Sequence, residues 1–334
     1  AFSPIKRWRT KCVTVVMEHF GLVKEFRKAG YYETEIQLQM FKDIKAAIHS
    51  GKLVAITGII GCGKTTTLRR LFDVLDKEGR ILVSKSLSVD KDRATLSTLI
   101  AALFYDLSAD KEVKIPTTGE KRERELRELV KKGKKPVALF VDEAHDLHSS
   151  TLTGLKRLIE VVEDGGGTLS VVLAGHPKLK NDLRRPTMEE IGYRATVFAF
   201  DGITGSQREY IKWLIQECVQ PETEISEILE SEAIELLAAR LRTPLQIEQH
   251  LTLAFEAAYL FGEKPVTTAI VESVLSKLLD DLEPTLTRHG YDVRSLAEQF
   301  NAKQSEIKSL FRGQLDPVRT RELQEQMLAA GLPL

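Results

Sequence analysis

Short, nearly unbroken apolar runs alternate along the chain with longer segments whose apolar residues recur every three or four positions. The runs at 52–58 (KLVAITG), 79–84 (GRILVS), 136–145 (PVALFVDEAH), 168–177 (TLSVVLAGHP) and 195–200 (ATVFAF) predict five strands. A strand apolar on both faces is covered on both faces, so these runs predict an α/β fold with a parallel sheet between helical layers. The predicted helices are 34–48, with Ile36, Met40, Ile44, Ala47 and Ile48 at helical spacing, and 64–75, with Leu68, Leu71, Phe72 and Leu75 on one face. Others are 94–107, the charged segment 121–132, and 152–162, which ends at Asp-Gly-Gly-Gly. A polar connection fills 109–120.

After Asp201 the strands stop. The pattern predicts helices at 206–219, 225–241, 244–261 and 266–282, an all-helical unit. In the last piece, residues 292–313 read as helix–turn–helix. Leu296, Ala297 and Phe300 pack one helix, Asn301–Ala302 turn the chain, and Ile307, Leu310 and Phe311 pack the next. The expected organisation is an N-terminal arm (1–33), an α/β domain (34–203), a helical unit (204–282) and a small helical module (283–334). No internal repeat is evident.

Charge changes this picture little. The 334 residues carry 48 Lys+Arg and 48 Asp+Glu, so any basic surface must be local. One such region is 1–30, where Lys6, Arg7, Arg9, Lys11, Lys24, Arg27 and Lys28 outnumber Glu18 and Glu25 and Trp8 is interleaved. It reads as a solvated helical arm or as a contact to nucleic acid or a neighbouring subunit. Cys12, Cys62 and Cys218 lie far apart, with no C-x-x-C or Cys/His pairing, which supports neither a disulfide framework nor a zinc site and points to a reducing, cytoplasmic setting. No apolar run reaches the roughly 18–20 residues that span a bilayer. No secretory h-region is expected.

The first predicted strand runs into Gly58–Ile59–Ile60–Gly61–Cys62–Gly63–Lys64–Thr65, a complete G-x-x-x-x-G-K-[ST] string followed by a helix. Its glycines let backbone N–H groups turn toward phosphate oxygens. Lys64 reaches the β/γ-phosphates and the Thr65 hydroxyl takes a Mg²⁺ position. Gly58, Gly61, Cys62, Gly63, Lys64, Thr65 and Thr66 are thus the candidate ATP cradle, with Cys62 at a variable position and no role for its side chain. The third strand delivers Asp142 and Glu143 at its end. Asp142 is the candidate to hold Mg²⁺ through its water shell, beside Thr65, and Glu143 the candidate general base that polarises the attacking water. His176 closes the fourth strand, at the edge where a parallel sheet presents its ligand crevice, and is a candidate to sense the γ-phosphate or position water. His145 and His148 read as structural. Arg194, just before the last strand, is the first candidate for an arginine acting on a neighbour's γ-phosphate. Arg184 and Arg185 are the alternates.

Together the Gly58–Thr65 string, LFVDEAH, VLAGHP, Arg194 and the helical unit resemble the AAA+ ATPases. Over about residues 20–280 they are most similar to the branch holding general-secretion ATPases of the ExeA type and the transposition regulators MuB, TniB and TnsC. The resemblance implies a five-stranded sheet of order 5-1-4-3-2, a helical lid, and ATP-dependent assembly into a ring or filament with nucleotide between subunits. The chain departs from the family in one place. Where many lids carry a G-x-P-R arginine, this chain reads Arg242-Thr243-Pro244-Leu245. Leu245 cannot touch a phosphate, so hydrolysis is expected to be weak or partner-dependent.

The helix–turn–helix places Lys303, Gln304, Ser305 and Lys308 on its second helix, where a major-groove reader would stand, with Arg319 and Arg321 on a following helix. It also reads as a docking module for protein. Lys91 and Arg93 are further DNA candidates, since in the transposition branch that region tracks a DNA backbone and phosphate contacts need only positive charge. The expected function is an ATPase that assembles on duplex DNA, marks a transposition target, and recruits or activates a DDE transposase, with a target-selection protein as further partner. It is expected to be cytoplasmic, bacterial and nucleoid-associated, with no membrane partner. The other readings are a replication initiator or helicase loader, a secretion ATPase, which would need a membrane anchor, and a nucleotide-dependent signalling switch.

Overall fold

A computed structural model of the chain describes residues 15–85, 95–108, 115–185, 188–192, 194–275 and 281–334. These residues group into two compact units. The larger takes those within 35–60, 64–200 and 281–334, and the smaller those up to 34, 61–63 and between 201 and 280.

The larger unit is built on five parallel strands: β1 (Leu53–Thr57), β2 (Leu82–Lys85), β3 (Val137–Val141), β4 (Leu169–Gly175) and β5 (Ala195–Ala199). Their order is β2-β3-β4-β1-β5, the predicted order read from the other edge. Leu53 stands opposite Val171 on one side and Ala195 on the other, and Val137 opposite Leu169. Every residue of β1, β3 and β4 is buried, which is why their sequences are continuously apolar. On one face, Leu99, Leu103, Leu126, Leu155, Leu158 and Val162 from three helices pack against Leu139, Val171 and Leu173. Because all strands run the same way, their carboxyl ends share one edge, and the residues after β1, β3 and β4 meet there.

Two predicted helices are shorter than the periodicity implies. The stretch expected at 225–241 is a 3₁₀ turn at Ile225–Glu227 and a helix at Ser231–Arg240. Between them Leu229 bridges to Val266, which takes its backbone out of helical geometry. The 266–282 stretch holds Thr268–Val274, and a separate helix begins at Leu282 and runs to Arg288. Pro177 starts a short helix, Pro177–Leu183, inside what reads as the tail of the fourth strand, because proline suits the first helical turn.

In the smaller unit Val16, Phe20, Phe26 and Ala29 are buried among Leu214, Leu251 and Phe255, with the Phe20 and Phe255 rings 4.7 Å apart. This stretch of the N-terminal segment is therefore packed, not a solvated arm. Lys24 pairs with Glu217 at 3.3 Å, and Arg27 and Lys28 pair with Glu25, so much of its charge is balanced. Lys6, Arg7, Trp8, Arg9 and Lys11 lie outside the described residues.

The last segment has a core of its own, with Leu286, Tyr291, Leu296, Ile307, Leu310, Leu323 and Met327 buried together. Its helices are Val293–Gln299, Gln304–Phe311 and Pro317–Ala329. Asp292 caps the first by accepting from the Ser295 N–H at 2.6 Å, and Asp316 caps the third just before Pro317. Asn301 makes the turn between the first two with φ 47°, a left-handed conformation that asparagine tolerates. This segment belongs to the larger unit, with the sheet, instead of standing apart as a fourth piece. No described helix is long and apolar enough to cross a membrane.

Candidate functional site

Beyond β1 the chain turns through Gly61 (φ 81°) and Gly63 (φ 103°) and enters the helix Lys64–Glu78 directly. The Lys64 side chain is buried and folds back onto its own loop. Its Nζ donates to the carbonyls of Gly58 at 2.8 Å and Ile59 at 2.9 Å. A fixed ammonium beside the N-terminus of a 15-residue helix is a ready anion site. Gly58 is buried and Thr66 exposed. Cys62 is buried. A Cβ on Gly61 would meet the Leu245 Cβ at 2.7 Å, and the Leu245 N–H donates to the Gly61 carbonyl at 3.3 Å. Only glycine fits that approach. Arg242, three residues before Leu245, is exposed.

Thr65, at the start of the helix, donates its hydroxyl to Asp142 Oδ2 at 2.8 Å. The other oxygen, Asp142 Oδ1, accepts the backbone N–H of Glu143 at 2.9 Å. Adjacent oxygens around an octahedral Mg²⁺ lie about 2.9 Å apart, given bonds of 2.0–2.1 Å. The Thr65 and Asp142 oxygens therefore fit that ion in both donor type and spacing. Glu143 itself has φ 54°, left-handed backbone in a residue that seldom adopts it. Such geometry costs about 1–3 kcal/mol and is kept where the surroundings enforce it. Here it bends the chain off β3 into the 3₁₀ turn Ala144–Asp146.

That turn brings in a residue the sequence reading set aside. His145, read as structural, stacks on His176 with ring centroids 3.7 Å apart, and its Nδ1 lies 3.5 Å from Glu143 Oε2. His176 Nε2 is 3.8 Å from the same oxygen. Burial pushes the His145 ring below the usual histidine range, against the pull of Asp146 and Glu143. The site thus gathers Lys64, Thr65, Asp142, Glu143 and His176, and adds His145. A histidine two residues past the carboxylates was the available signal. His148 caps the helix Ser149–Asp164 with its backbone and stays structural.

Arg194 lies elsewhere. It precedes β5 at the amino end of the sheet, opposite the edge that carries the P-loop, and is paired with Glu160. It lines a cleft of about 670 Å³ with Lys52, Lys156 and Glu160. The alternates differ. Arg185 is held by Asp182 at 2.7 Å and by Gln299 at 3.1 Å, while Arg184 is exposed at the end of its helix. Among the nucleic-acid candidates, Lys91 and Arg93 lie outside the described residues. Lys303, Gln304, Ser305 and Lys308 are all exposed on or just before the second tail helix. Arg319 pairs with Glu306 and Glu322, and Arg321 with Glu325, so the third tail helix offers little unbalanced charge.

The tail reaches the site through residues 288–291, which sequence reasoning did not single out. The Ile60 N–H donates to the Arg288 carbonyl at 3.0 Å, and the Lys178 N–H to the His289 carbonyl at 3.2 Å. Gly290 has φ 92°, and a Cβ there would meet His176 Cβ at 2.6 Å. The Asn181 amide donates to the Tyr291 hydroxyl.

Sheet order, P-loop and paired strand-end carboxylates together define a P-loop ATPase with the AAA+ fold. Residues 47–183 match the AAA domain family. Over 178 residues the chain is 31% identical to general secretion pathway protein A of Aeromonas hydrophila, a match covering 51% of this chain and 31% of that protein. The chain thus spans about a third of that relative's length. Among solved structures it is similar to the Aeropyrum pernix ORC2 protein (TM-score 0.55, 13% identity, 93% of this chain and 91% of that one). It is also similar to Drosophila ORC bound to DNA (TM-score 0.53, 13% identity, 95% and 84%) and to Cdc6p from Pyrobaculum aerophilum (TM-score 0.52, 14% identity, 90% and 87%). At these identities the likeness is one of fold.

Proposed function

We propose that this chain is an ATP-dependent, DNA-binding ATPase that assembles on duplex DNA and regulates transposition, marking a target and recruiting or activating a DDE transposase. The observation that carries the DNA part is the attachment of the tail. A three-helix module exposing Lys303, Gln304, Ser305 and Lys308 is bonded, through Arg288 and His289, to the P-loop and to the helix after His176. Nucleotide and nucleic acid would then act on one compact unit.

In this reading the Lys64 ammonium leaves the Gly58 and Ile59 carbonyls for phosphate oxygens, and the helix N-terminus faces the same charge. Thr65 and Asp142 would hold Mg²⁺, which would supply positive charge against the phosphates. Glu143 takes the proton of the attacking water while His176 orients it. Arg194 would act in trans on a neighbouring subunit's nucleotide, a reading supported by its position at the edge of the sheet opposite its own P-loop. The resemblance to MuB, TniB and TnsC supports the transposition role, and self-assembly into a ring or filament goes with it. The likeness to ORC and Cdc6p folds, one of them solved bound to DNA, supports a second reading as an initiator or loader.

The test is electron microscopy of the full chain with duplex DNA and ATP, beside a binding titration at rising salt. ATP-dependent rings or filaments on DNA, with affinity falling steeply as salt rises, support the proposal. Monomers that ignore DNA with and without ATP overturn it. Stimulation of a purified transposase would separate the transposition reading from the initiator one.

A further inference from the structure

We infer that Glu143, His145 and His176 form a binding site for a divalent transition-metal ion of the Zn²⁺ class, and that its occupation turns hydrolysis off. The three side chains offer one carboxylate oxygen and two imidazole nitrogens, all within 4.8 Å of one another. Glu143 Oε2 lies 3.5 Å from His145 Nδ1 and 3.8 Å from His176 Nε2. Ligand atoms around a tetrahedral ion with bonds of roughly 2.0–2.1 Å are about 3.3 Å apart, close to the 3.5 and 3.8 Å already present.

Two further observations point to a ligand. The His145 side chain is only 9% exposed, and its Nδ1 is buried with no hydrogen-bond partner, aimed at the shared carboxylate. A buried ring nitrogen left so is costly, and a metal ion satisfies it. The rings also lie 3.7 Å apart at 32°, and each brings one nitrogen within 3.8 Å of the same Glu143 oxygen. Imidazole and carboxylate donors suit Zn²⁺, Co²⁺ or Ni²⁺, whereas Mg²⁺ prefers the all-oxygen pair of Thr65 and Asp142. The two sites are therefore chemically separate. Three protein ligands leave a fourth position for water.

The shared residue links metal to catalysis, and the link rests on Glu143 being the base. A carboxylate bound to a metal ion cannot accept the proton of the attacking water. Lys64, Thr65 and Asp142 are untouched, so nucleotide still binds. Metal would hold the protein in its ATP-bound state.

The experiment uses the full chain, stripped with chelator and titrated with Co²⁺, whose absorption reports low-coordinate nitrogen–oxygen ligation. The expected result is one Co²⁺ per chain, displaced by Zn²⁺. His145→Phe and His176→Phe keep a ring in the stack. Each is expected to weaken binding by at least the roughly tenfold that losing even an outer-shell partner costs. Retained binding of a fluorescent ATP analogue shows that the variants are folded. Zn²⁺ should stop wild-type hydrolysis without displacing the analogue. No stoichiometric Co²⁺ binding, or binding equal in wild type and both variants, overturns the site. Histidine-dependent Co²⁺ binding with hydrolysis uninhibited supports the site and overturns Glu143 as the base.

Discussion

The side-chain amide of Asn181 donates a 2.7 Å hydrogen bond to the hydroxyl of Tyr291, joining the helix behind His176 to the core of the tail. Tyr291 is 2% exposed, so its hydroxyl has little access to water. Tyr291→Phe removes that hydroxyl while keeping the ring. The loss is expected to cost about 1–3 kcal/mol, because the Asn181 amide is left without its acceptor. Thermal denaturation should show a midpoint several degrees lower, with ATP binding retained.

Gly290 is a sharper test of the same attachment. At φ 92° it lies in a region that disfavours side chains, and a Cβ would press on His176. Gly290→Ala is expected to loosen the tail more than Tyr291→Phe does. Limited proteolysis should release a fragment near residue 290 sooner, and hydrolysis should fall because His176 is displaced.

Lys64 and Glu143 separate binding from hydrolysis. Lys64→Ala removes charge-assisted hydrogen bonds worth about 1.5–3 kcal/mol each, so ATP affinity should drop by roughly tenfold to a hundredfold or more. Glu143→Gln keeps the volume but not the base. It should bind ATP normally and turn over about 10²–10⁴ times more slowly. Equilibrium binding beside single-turnover hydrolysis reads both.

Arg194 gives a mixing test. Arg194→Ala and Lys64→Ala chains are each expected to hydrolyse poorly alone. Mixed, some interfaces pair an intact P-loop with an intact arginine, and activity should partly return. A steady-state assay across mixing ratios checks this, and a flat profile counts against action in trans.

Glu248 is one source of pH-dependent stability in the smaller unit. Burial pushes Glu248 above the usual carboxylate range, partly offset by the hydrogen bond that Tyr210 donates to it at 3.0 Å. Tyr210 is itself pushed up by burial and stays protonated. A raised folded-state pKa makes stability fall as pH rises through it, because the buried carboxylate must ionise. Glu248→Gln should therefore raise the thermal midpoint at pH 7. The gain should vanish below about pH 4, where the wild-type side chain is already neutral. Paired melts at the two pH values measure it.

The positions of Glu143 and His145 show where sequence reading stops. The carboxylates after β3 are legible because a buried strand announces itself in consecutive residues, and the next residues along must emerge at the strand's end. The left-handed turn at Glu143, which swings His145 back over His176, leaves no mark in a hydrophobic pattern. The N-terminal segment misled in the opposite way. Its basic residues read as a solvated arm, while the burial of Val16, Phe20 and Phe26 depends on apolar partners about 200 positions away.

Five strands, the P-loop, the carboxylates just past β3 and the helix–turn–helix pattern of the tail are legible in the sequence alone. Each is a local matter of spacing, capping or steric freedom, written in adjacent residues. That the tail is bonded beside the P-loop, that His145 stands over His176, and that Arg194 lies at the opposite edge of the sheet emerge only in the folded chain. Those facts come from contacts between residues far apart in the chain, such as Asn181 and Tyr291, 110 positions apart. Such pairs are selected by packing and by the need to satisfy buried polar groups, and neither acts until the chain has closed on itself.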